Sequence, residues 1–140
     1  MIELVVGEKG KGKTRMLMGK ANNDIKLTGG SIAYLDRNNK HMYELSNRIR
    51  LINVPEYNIR SADMFIGFIY GLASQNDDLD RIFLDNFMSI ACVETVDEVD
   101  KLVKELSIVS DKFELDFVIG ISKAKEELTE YLKELVTASL

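Results

Sequence analysis

The chain has 140 residues, with 23 acidic and 18 basic side chains and a formal charge of −5. This length predicts one domain, spanning 1–140, with a single core and no room for a second module. The acidic balance argues against a protein whose main role is to coat nucleic acid, because neutralising phosphates requires a basic face. A single cysteine, Cys92, excludes an internal disulfide.

The sequence also bears on location. No apolar run approaches the roughly 20 residues that a membrane-spanning helix needs. A first strand predicted from residue 2 leaves no room for a signal peptide. We therefore expect a cytoplasmic protein without a membrane span.

The first predicted strand, "IELVV" at 2–6, leads directly into the loop "GEKGKGKT" at 7–14. The loop matches G-x-x-x-x-G-K-[ST], the pattern of a phosphate-binding P-loop (Walker A). Glycines at these positions let successive backbone N–H groups converge on a phosphate, because no Cβ intrudes. A helix predicted to begin near Lys13 would direct its positive dipole end at the same anion. The segment therefore predicts a nucleotide site.

Two side chains of the loop have predicted chemical roles. The Lys13 ammonium can bridge the β- and γ-phosphates, and the Thr14 hydroxyl can ligate Mg²⁺. Lys9 and Lys11 are expected to contribute backbone groups and to leave their side chains in solvent. The expected ligands are ATP, or another nucleoside triphosphate, and Mg²⁺. The predicted nucleotide-binding residues are Gly7, Glu8, Lys9, Gly10, Lys11, Gly12, Lys13, Thr14 and Arg15.

Two further strands are predicted at 31–35 and 50–54, with polar and basic residues between and after them. The only histidine, His41, is either a surface residue on a short helix or a contact to phosphate or water. The nearby basic side chains are either scattered surface charge or a finger that reaches the nucleotide of a neighbouring subunit. These basic residues are Arg37, Lys40, Arg48, Arg50 and Arg60.

The next predicted element is the helix "SADMFIGFIYGLASQ" at 61–75, which is apolar almost all round. A helix of this kind is either deeply buried or pairs with another chain. Because complete burial is difficult in so small a domain, the helix is a candidate interface for a homo-oligomer or a protein partner.

The strand "RIFLD" at 81–85 ends in an acidic residue, which is the Walker B pattern. A P-loop protein needs a carboxylate at the end of a neighbouring strand for Mg²⁺, usually through water. We therefore predict that Asp85 acts on the metal side of the site, together with Thr14, and that Lys13 and Asp85 are the catalytic pair. Asn86 follows where many ATPases have a glutamate, and an amide can orient water but is a poor base.

The remaining third of the chain continues the alternation of strands and helices. Apolar spacing predicts a helix over 95–109, with ion pairs Asp97–Lys101 and Asp100–Lys104 on its polar face. A strand follows at 115–121, then a helix over 123–135 and a further strand at 135–139. This alternation predicts an α/β fold of three layers, with a mostly parallel sheet and helices on both faces. Such sheets bind ligands at the carboxyl ends of their strands, where the P-loop lies.

With both Walker motifs, the chain resembles the P-loop NTPase superfamily over its full length, and the RecA-like ATPase core most closely. In that group the second strand ends in an acid-bearing turn, to which "IAYLDRNN" is similar. The resemblance implies a catalytic glutamate two residues after Asp36, where this chain has Asn38. It also implies a sensor position at Ser122, although a serine that caps the next helix explains that residue equally well.

The layout is also similar to small Firmicutes proteins that carry loose labels such as ATP-binding protein or twitching motility protein PilT. The resemblance to pilus-retraction motors covers only the Walker motifs, so we do not extend motility to this chain. We expect an ATP-binding protein that hydrolyses slowly or only with a partner. The alternatives are a regulatory module whose nucleotide state alters an interface, and a small-molecule kinase.

Overall fold

A six-stranded sheet forms the centre of the molecule, which a computed structural model describes from Met1 to Leu140. All pairings between neighbouring strands are parallel, so the sheet is wholly rather than mostly parallel. Its spatial order is β3-β2-β4-β5-β1-β6. The strands are β1 (Ile2–Val6), β2 (Ser31–Asp36), β3 (Arg50–Asn53), β4 (Leu79–Leu84), β5 (Asp116–Ile121) and β6 (Val136–Ser139).

Five α-helices and two short 3₁₀ segments connect the strands. The helices are α1 (Lys13–Leu27), α2 (Ala62–Gln75), α3 (Phe87–Ile90), α4 (Val96–Phe113) and α5 (Glu130–Lys133). The 3₁₀ segments are Val54–Tyr57 and Lys125–Glu127. No helix combines the length and the hydropathy needed to span a bilayer.

Two separate apolar clusters show that helices cover both faces of the sheet. On one face, α1 buries Leu17, Ala21 and Ile25, which are four residues apart, against residues such as Tyr34 and Phe83. On the other face, α2 and α4 pack over a larger cluster of 28 buried residues. Successive side chains of a strand point to opposite faces, so both faces of each central strand are apolar. The three-layer α/β architecture follows from this double burial.

The polar face of α4 forms one of its two predicted ion pairs. Lys104 Nζ lies 2.8 Å from Asp100 Oδ1, whereas Asp97 and Lys101 are not paired. The helix begins at a capping box in which Thr95 accepts from the Glu98 backbone N–H and Glu98 accepts from the Thr95 backbone N–H. Such a box satisfies donors that the first turn would leave unpaired.

The predicted helix over 123–135 is wrong. The segment instead contains the 3₁₀ turn and the single-turn helix α5, separated by Leu128 and Thr129. The Thr129 hydroxyl accepts from the backbone N–H of Leu132 and donates to Asp100 on α4. This cap starts a new helix in the middle of the apolar repeat, although Leu128 and Leu132 are buried as the repeat requires.

Helix α2 is less exposed than its composition suggests. Phe65, Ile69 and Ala73 are buried, and most of its other large apolar side chains are half-buried against the core. Met64, 44% exposed, is the large apolar side chain of this helix that faces solvent most. The interface at 61–75 therefore stays a prediction that concerns a small part of the helix surface.

Candidate functional site

The carboxyl ends of the strands meet at one edge of the sheet, where a cavity of about 1070 Å³ opens. Strand register aligns these ends, because Val6 pairs with Ile121 and Leu35 pairs with Leu84. Asp36 is the last residue of β2 and Asp85 directly follows β4, so both acids lie at this edge. Nineteen residues line the cavity: Lys9, Gly10, Lys11, Gly12, Lys13, Thr14, Arg15, Met16, Met18, Asp36, Arg37, Asn38, Lys40, His41, Glu44, Asp85, Asn86, Ser122 and Leu140.

The glycine loop has the backbone conformation that its composition predicts. Gly10 and Gly12 have φ of 85° and 95°, in the left-handed region that side-chain-bearing residues rarely adopt. Gly12 is the N-cap of α1, and the helix begins at Lys13. No side chain caps this terminus. The N–H groups of the first turn are therefore available to an anion, as at other helix N-termini.

Seven of the nine predicted nucleotide-binding residues, Lys9 to Arg15, line the cavity. Gly7 and Glu8 do not. A Cβ placed on Gly7 would lie 3.0 Å from the carbonyl oxygen of Leu140, so the start of the loop packs closely against the chain beyond β6. Glu8 contributes its backbone carbonyl, which accepts a hydrogen bond from Lys13 Nζ at 3.0 Å.

Lys13 is the one basic side chain that is buried. Burial lowers the pKa of its ammonium, and the nearby Asp85 carboxylate opposes that shift. Its hydrogen-bond acceptor is a neutral loop carbonyl rather than a carboxylate. The site therefore holds a cation whose charge is incompletely compensated, which favours an anionic ligand.

Thr14 and Asp85 lie together although 71 residues separate them in the sequence. The Thr14 hydroxyl donates to Asp85 Oδ1 at 3.2 Å. The other Asp85 oxygen, Oδ2, accepts from the Tyr34 hydroxyl at 2.8 Å, and Oδ1 also accepts from the Asn86 backbone N–H at 2.9 Å. Asp85 is 2% exposed, so nearly all of its polar environment comes from these donors.

Two buried carboxylates share this edge, and Asn86 connects them. The Asn86 side-chain amide donates to Asp36 Oδ1 at 2.8 Å, while its backbone N–H donates to Asp85. Asn86 has φ of 53°, a left-handed conformation that asparagine tolerates better than most residues. The sequence suggested that Asn86 could orient water, but its amide is directed at Asp36 in the structure.

Burial raises the pKa of the Asp85 carboxyl, with a further contribution from the Asp36 charge, while the hydrogen bonds from Tyr34, Thr14 and Asn86 oppose the shift. When the pKa of a carboxyl is higher in the folded state than in the unfolded state, the protein loses stability as pH rises from the unfolded-state value to the folded-state value. At neutral pH, the ionised form of Asp85 therefore contributes less to stability than its protonated form would.

We expect Asp85→Asn to raise the melting temperature at pH 7, because the amide carries no charge to desolvate and keeps one oxygen that can accept from Thr14 and Asn86. The gain should fade below about pH 4, where the carboxyl is protonated in both states. Thermal denaturation at the two pH values measures this, with the exposed Asp111→Asn as a control that should change neither. A melting temperature that falls at pH 7 would contradict the prediction.

The other residues considered from sequence divide into two groups. Arg37, Lys40 and His41 line the cavity, and the His41 ring is paired with Glu44. His41 lies in a turn rather than on a short helix. Arg48, Arg50 and Arg60 do not line the cavity, so the basic residues do not form one cluster there.

The Walker motifs do not specify the positions of two other residues near the site, Ser122 and Tyr34. Ser122, directly after β5, lines the cavity. Tyr34 was not predicted, because its hydroxyl meets Asp85 only through the pairing of β2 with β4. The available signal was a tyrosine in an otherwise apolar strand, two residues before its terminal acid.

The site has the oxygen ligands expected around a hydrated cation rather than a protein cage. No group of three or more His, Cys, Asp or Glu side chains is arranged to hold a metal ion. Mg²⁺ usually keeps several waters and binds one or two protein oxygens together with phosphate oxygens. Thr14 and Asp85 fit that requirement. No family model matches the chain, and no curated protein matches its sequence.

Proposed function

We propose that this chain is a P-loop NTPase with a RecA-like core that binds ATP, or another nucleoside triphosphate, together with Mg²⁺. The observation that carries the proposal is the contact between the Thr14 hydroxyl and Asp85 Oδ1 at 3.2 Å, at the mouth of a glycine-rich loop. Two independent sequence motifs thus supply the groups that a Mg²⁺–nucleotide complex needs, side by side. The catalytic pair proposed is Lys13 and Asp85.

The strand order supports the RecA-like assignment. β5 lies between β1, which precedes the glycine loop, and β4, which ends before Asp85. This strand arrangement resembles that of the RecA-like core. The carboxyl edge of a parallel sheet is also where α/β proteins bind their ligands.

The loop and the side chains of the site have separate proposed roles in nucleotide binding. Backbone N–H groups from Gly10 to Thr14 would bind the phosphates, and the Lys13 ammonium would exchange its carbonyl partner for phosphate oxygens. Thr14 and Asp85 would hold the cation side of the nucleotide. When bound, the metal ion would neutralise part of the charge on the β- and γ-phosphates.

Turnover by the isolated chain should be slow. Attack by water needs a group that positions or deprotonates it, and the two expected glutamate positions hold Asn38 and Asn86. The Asn86 amide is directed at Asp36, and Asn38 Oδ1 accepts from the backbone N–H of Lys40. Because both amides have local partners, we propose weak or partner-dependent hydrolysis.

Phosphoryl transfer to a small molecule is the second candidate function, favoured by the size of the cavity. At about 1070 Å³ the cavity reaches the upper end of the range for small-molecule sites. It extends from the glycine loop to Arg37 and Lys40, which could hold an anionic acceptor. Measuring turnover with and without candidate acceptors separates this function from hydrolysis.

The proposed function is tested by calorimetry of the wild-type chain with ATP, with and without Mg²⁺, and by phosphate release. We expect saturable binding that Mg²⁺ strengthens. General-base assistance is worth about 10²- to 10⁴-fold, so turnover should lie well below the typical value of about 10 s⁻¹. Absence of binding to every nucleoside triphosphate tested would refute the proposal.

A further inference from the structure

Tyr34 is a tyrosine at a position where phenylalanine would pack equally well. Its ring is fully buried on the α1 face and stacks on Phe83, with centroids 5.8 Å apart and planes at 13°. The hydroxyl is the only part that the apolar cluster does not require. A buried hydroxyl is unfavourable unless it is hydrogen-bonded, so the hydrogen bond that it forms must explain why tyrosine stands at this position.

The partner in this hydrogen bond is Asp85. The Tyr34 hydroxyl donates to Oδ2 at 2.8 Å, whereas Thr14 and the Asn86 backbone N–H donate to Oδ1. The two oxygens of the carboxylate therefore accept from different donors. Because Tyr34 binds Oδ2, Oδ1 stays beside Thr14.

The hydroxyl is the donor in this contact, because an ionised carboxylate oxygen can only accept. Tyr34 does not line the cavity, so any influence on a ligand has to pass through Asp85.

We propose that Tyr34 is a positioning residue for the metal-side acid: it fixes the Asp85 carboxylate so that Oδ1 remains beside Thr14, and it thereby sets how strongly Mg²⁺ promotes nucleotide binding. The inference rests on the proposed function. Without this bond, Oδ2 would be a buried, unpaired carboxylate oxygen, and the carboxylate would lose its fixed orientation. Partners that orient metal ligands typically contribute 10- to 100-fold to metal affinity.

The test is Tyr34→Phe, which keeps the ring and removes only the hydroxyl. We expect ATP affinity without metal to stay within about twofold of wild type, while the increase in affinity caused by Mg²⁺ falls by about tenfold. Calorimetry with and without Mg²⁺ gives both values. Tyr70→Phe is the matched control, since the Tyr70 hydroxyl has no protein partner and its ring packs on Phe113; it should change neither value.

The outcomes separate this inference from the proposed function. If wild type binds ATP and Tyr34→Phe weakens binding equally with and without Mg²⁺, Tyr34 has a merely structural role and the inference is wrong. A lower melting temperature with an unchanged Mg²⁺ effect would overturn it in the same way. If wild type binds no nucleotide, the proposed function fails, and this inference fails with it.

A second measurement does not depend on how the variant folds. Wild-type protein labelled with 3-fluorotyrosine should give a fluorine NMR signal for each of its five tyrosines. The Tyr34 signal, assigned by replacing the other four in turn, should shift when Mg²⁺ is added to the ATP-loaded protein. A signal that does not respond to Mg²⁺ would overturn the inference.

Discussion

Replacing Lys13 by alanine is expected to weaken ATP binding by about 100-fold. Its Nζ atom lies 3.0 Å from a neutral loop carbonyl, and the side chain is buried at the start of α1. Exchange of that carbonyl for a phosphate replaces an ordinary hydrogen bond with charge-assisted ones, worth about 1.5–3 kcal/mol each. At 1.4 kcal/mol for each tenfold change, loss of the ammonium gives the stated effect, which calorimetry would measure.

One control variant and the expected stability of Lys13→Ala make this result specific. Lys9→Ala removes an exposed lysine from the same loop and should change the affinity by no more than about threefold. The fold should tolerate Lys13→Ala, because burial lowers the pKa of this ammonium and therefore disfavours its charged form. If Lys13→Ala binds ATP as tightly as wild type, the loop is not a phosphate site.

The sequence predicted the six strands to within about two residues because buried parallel strands are nearly continuous apolar runs. β1 and the second half of β4 show this: "IELVV" has one charged residue and "IFL" has none, and turn residues follow both. The motifs also predicted that Thr14 and Asp85 would meet. Both residues follow strands whose carboxyl ends a parallel sheet brings to one edge.

The errors lie where contacts between distant segments decide the outcome. The spacing of Leu128 and Leu132 correctly indicated a buried face, but periodicity cannot show that Thr129 caps a new helix and contacts Asp100 on α4. A short apolar repeat is compatible with one helix or with two short turns. Tertiary hydrogen bonding selected the second arrangement here.

The polar network of the site could not be predicted for a related reason. Whether Tyr34 reaches Asp85 depends on the pairing of β2 with β4, in which Tyr34 lies opposite Phe83. Whether the Asn86 amide faces water or Asp36 depends on its left-handed backbone conformation. Sequence spacing specifies neither the register nor the backbone angle, so it identified Asn86 but not its partner.

Asn86→Asp is expected to lower the free energy of unfolding by about 3 kcal/mol at pH 7. Aspartate has the shape of asparagine and also tolerates the left-handed conformation, so packing and backbone strain should change little. The substitution removes the side-chain donor to Asp36 Oδ1 and places a third carboxylate beside two that are each 2% exposed. A lost hydrogen bond to a charged group is worth about 1.5–3 kcal/mol, and repulsion between buried charges adds to it.

The direction in which the stability deficit of Asn86→Asp changes with pH distinguishes charge repulsion from a packing defect. Two neighbouring carboxylates raise the pKa of the introduced carboxyl in the folded state above its unfolded value, so the penalty is present at neutral pH. As pH falls through the folded-state pKa, the carboxyl gains a proton and can again donate to Asp36. The stability deficit relative to wild type should therefore shrink between pH 7 and about pH 5, as urea denaturation would show.

Asn38→Asp is the matched control because Asn38 lines the same cavity but accepts from the Lys40 backbone N–H, a bond that aspartate keeps. It should alter the unfolding free energy by no more than about 0.5 kcal/mol at either pH. Equal stability of Asn86→Asp and wild type at pH 7 would mean that the amide does not stabilise the carboxylate pair. A deficit that persists unchanged at pH 5 would assign the loss to packing, since charge repulsion is relieved by protonation and a packing defect is not.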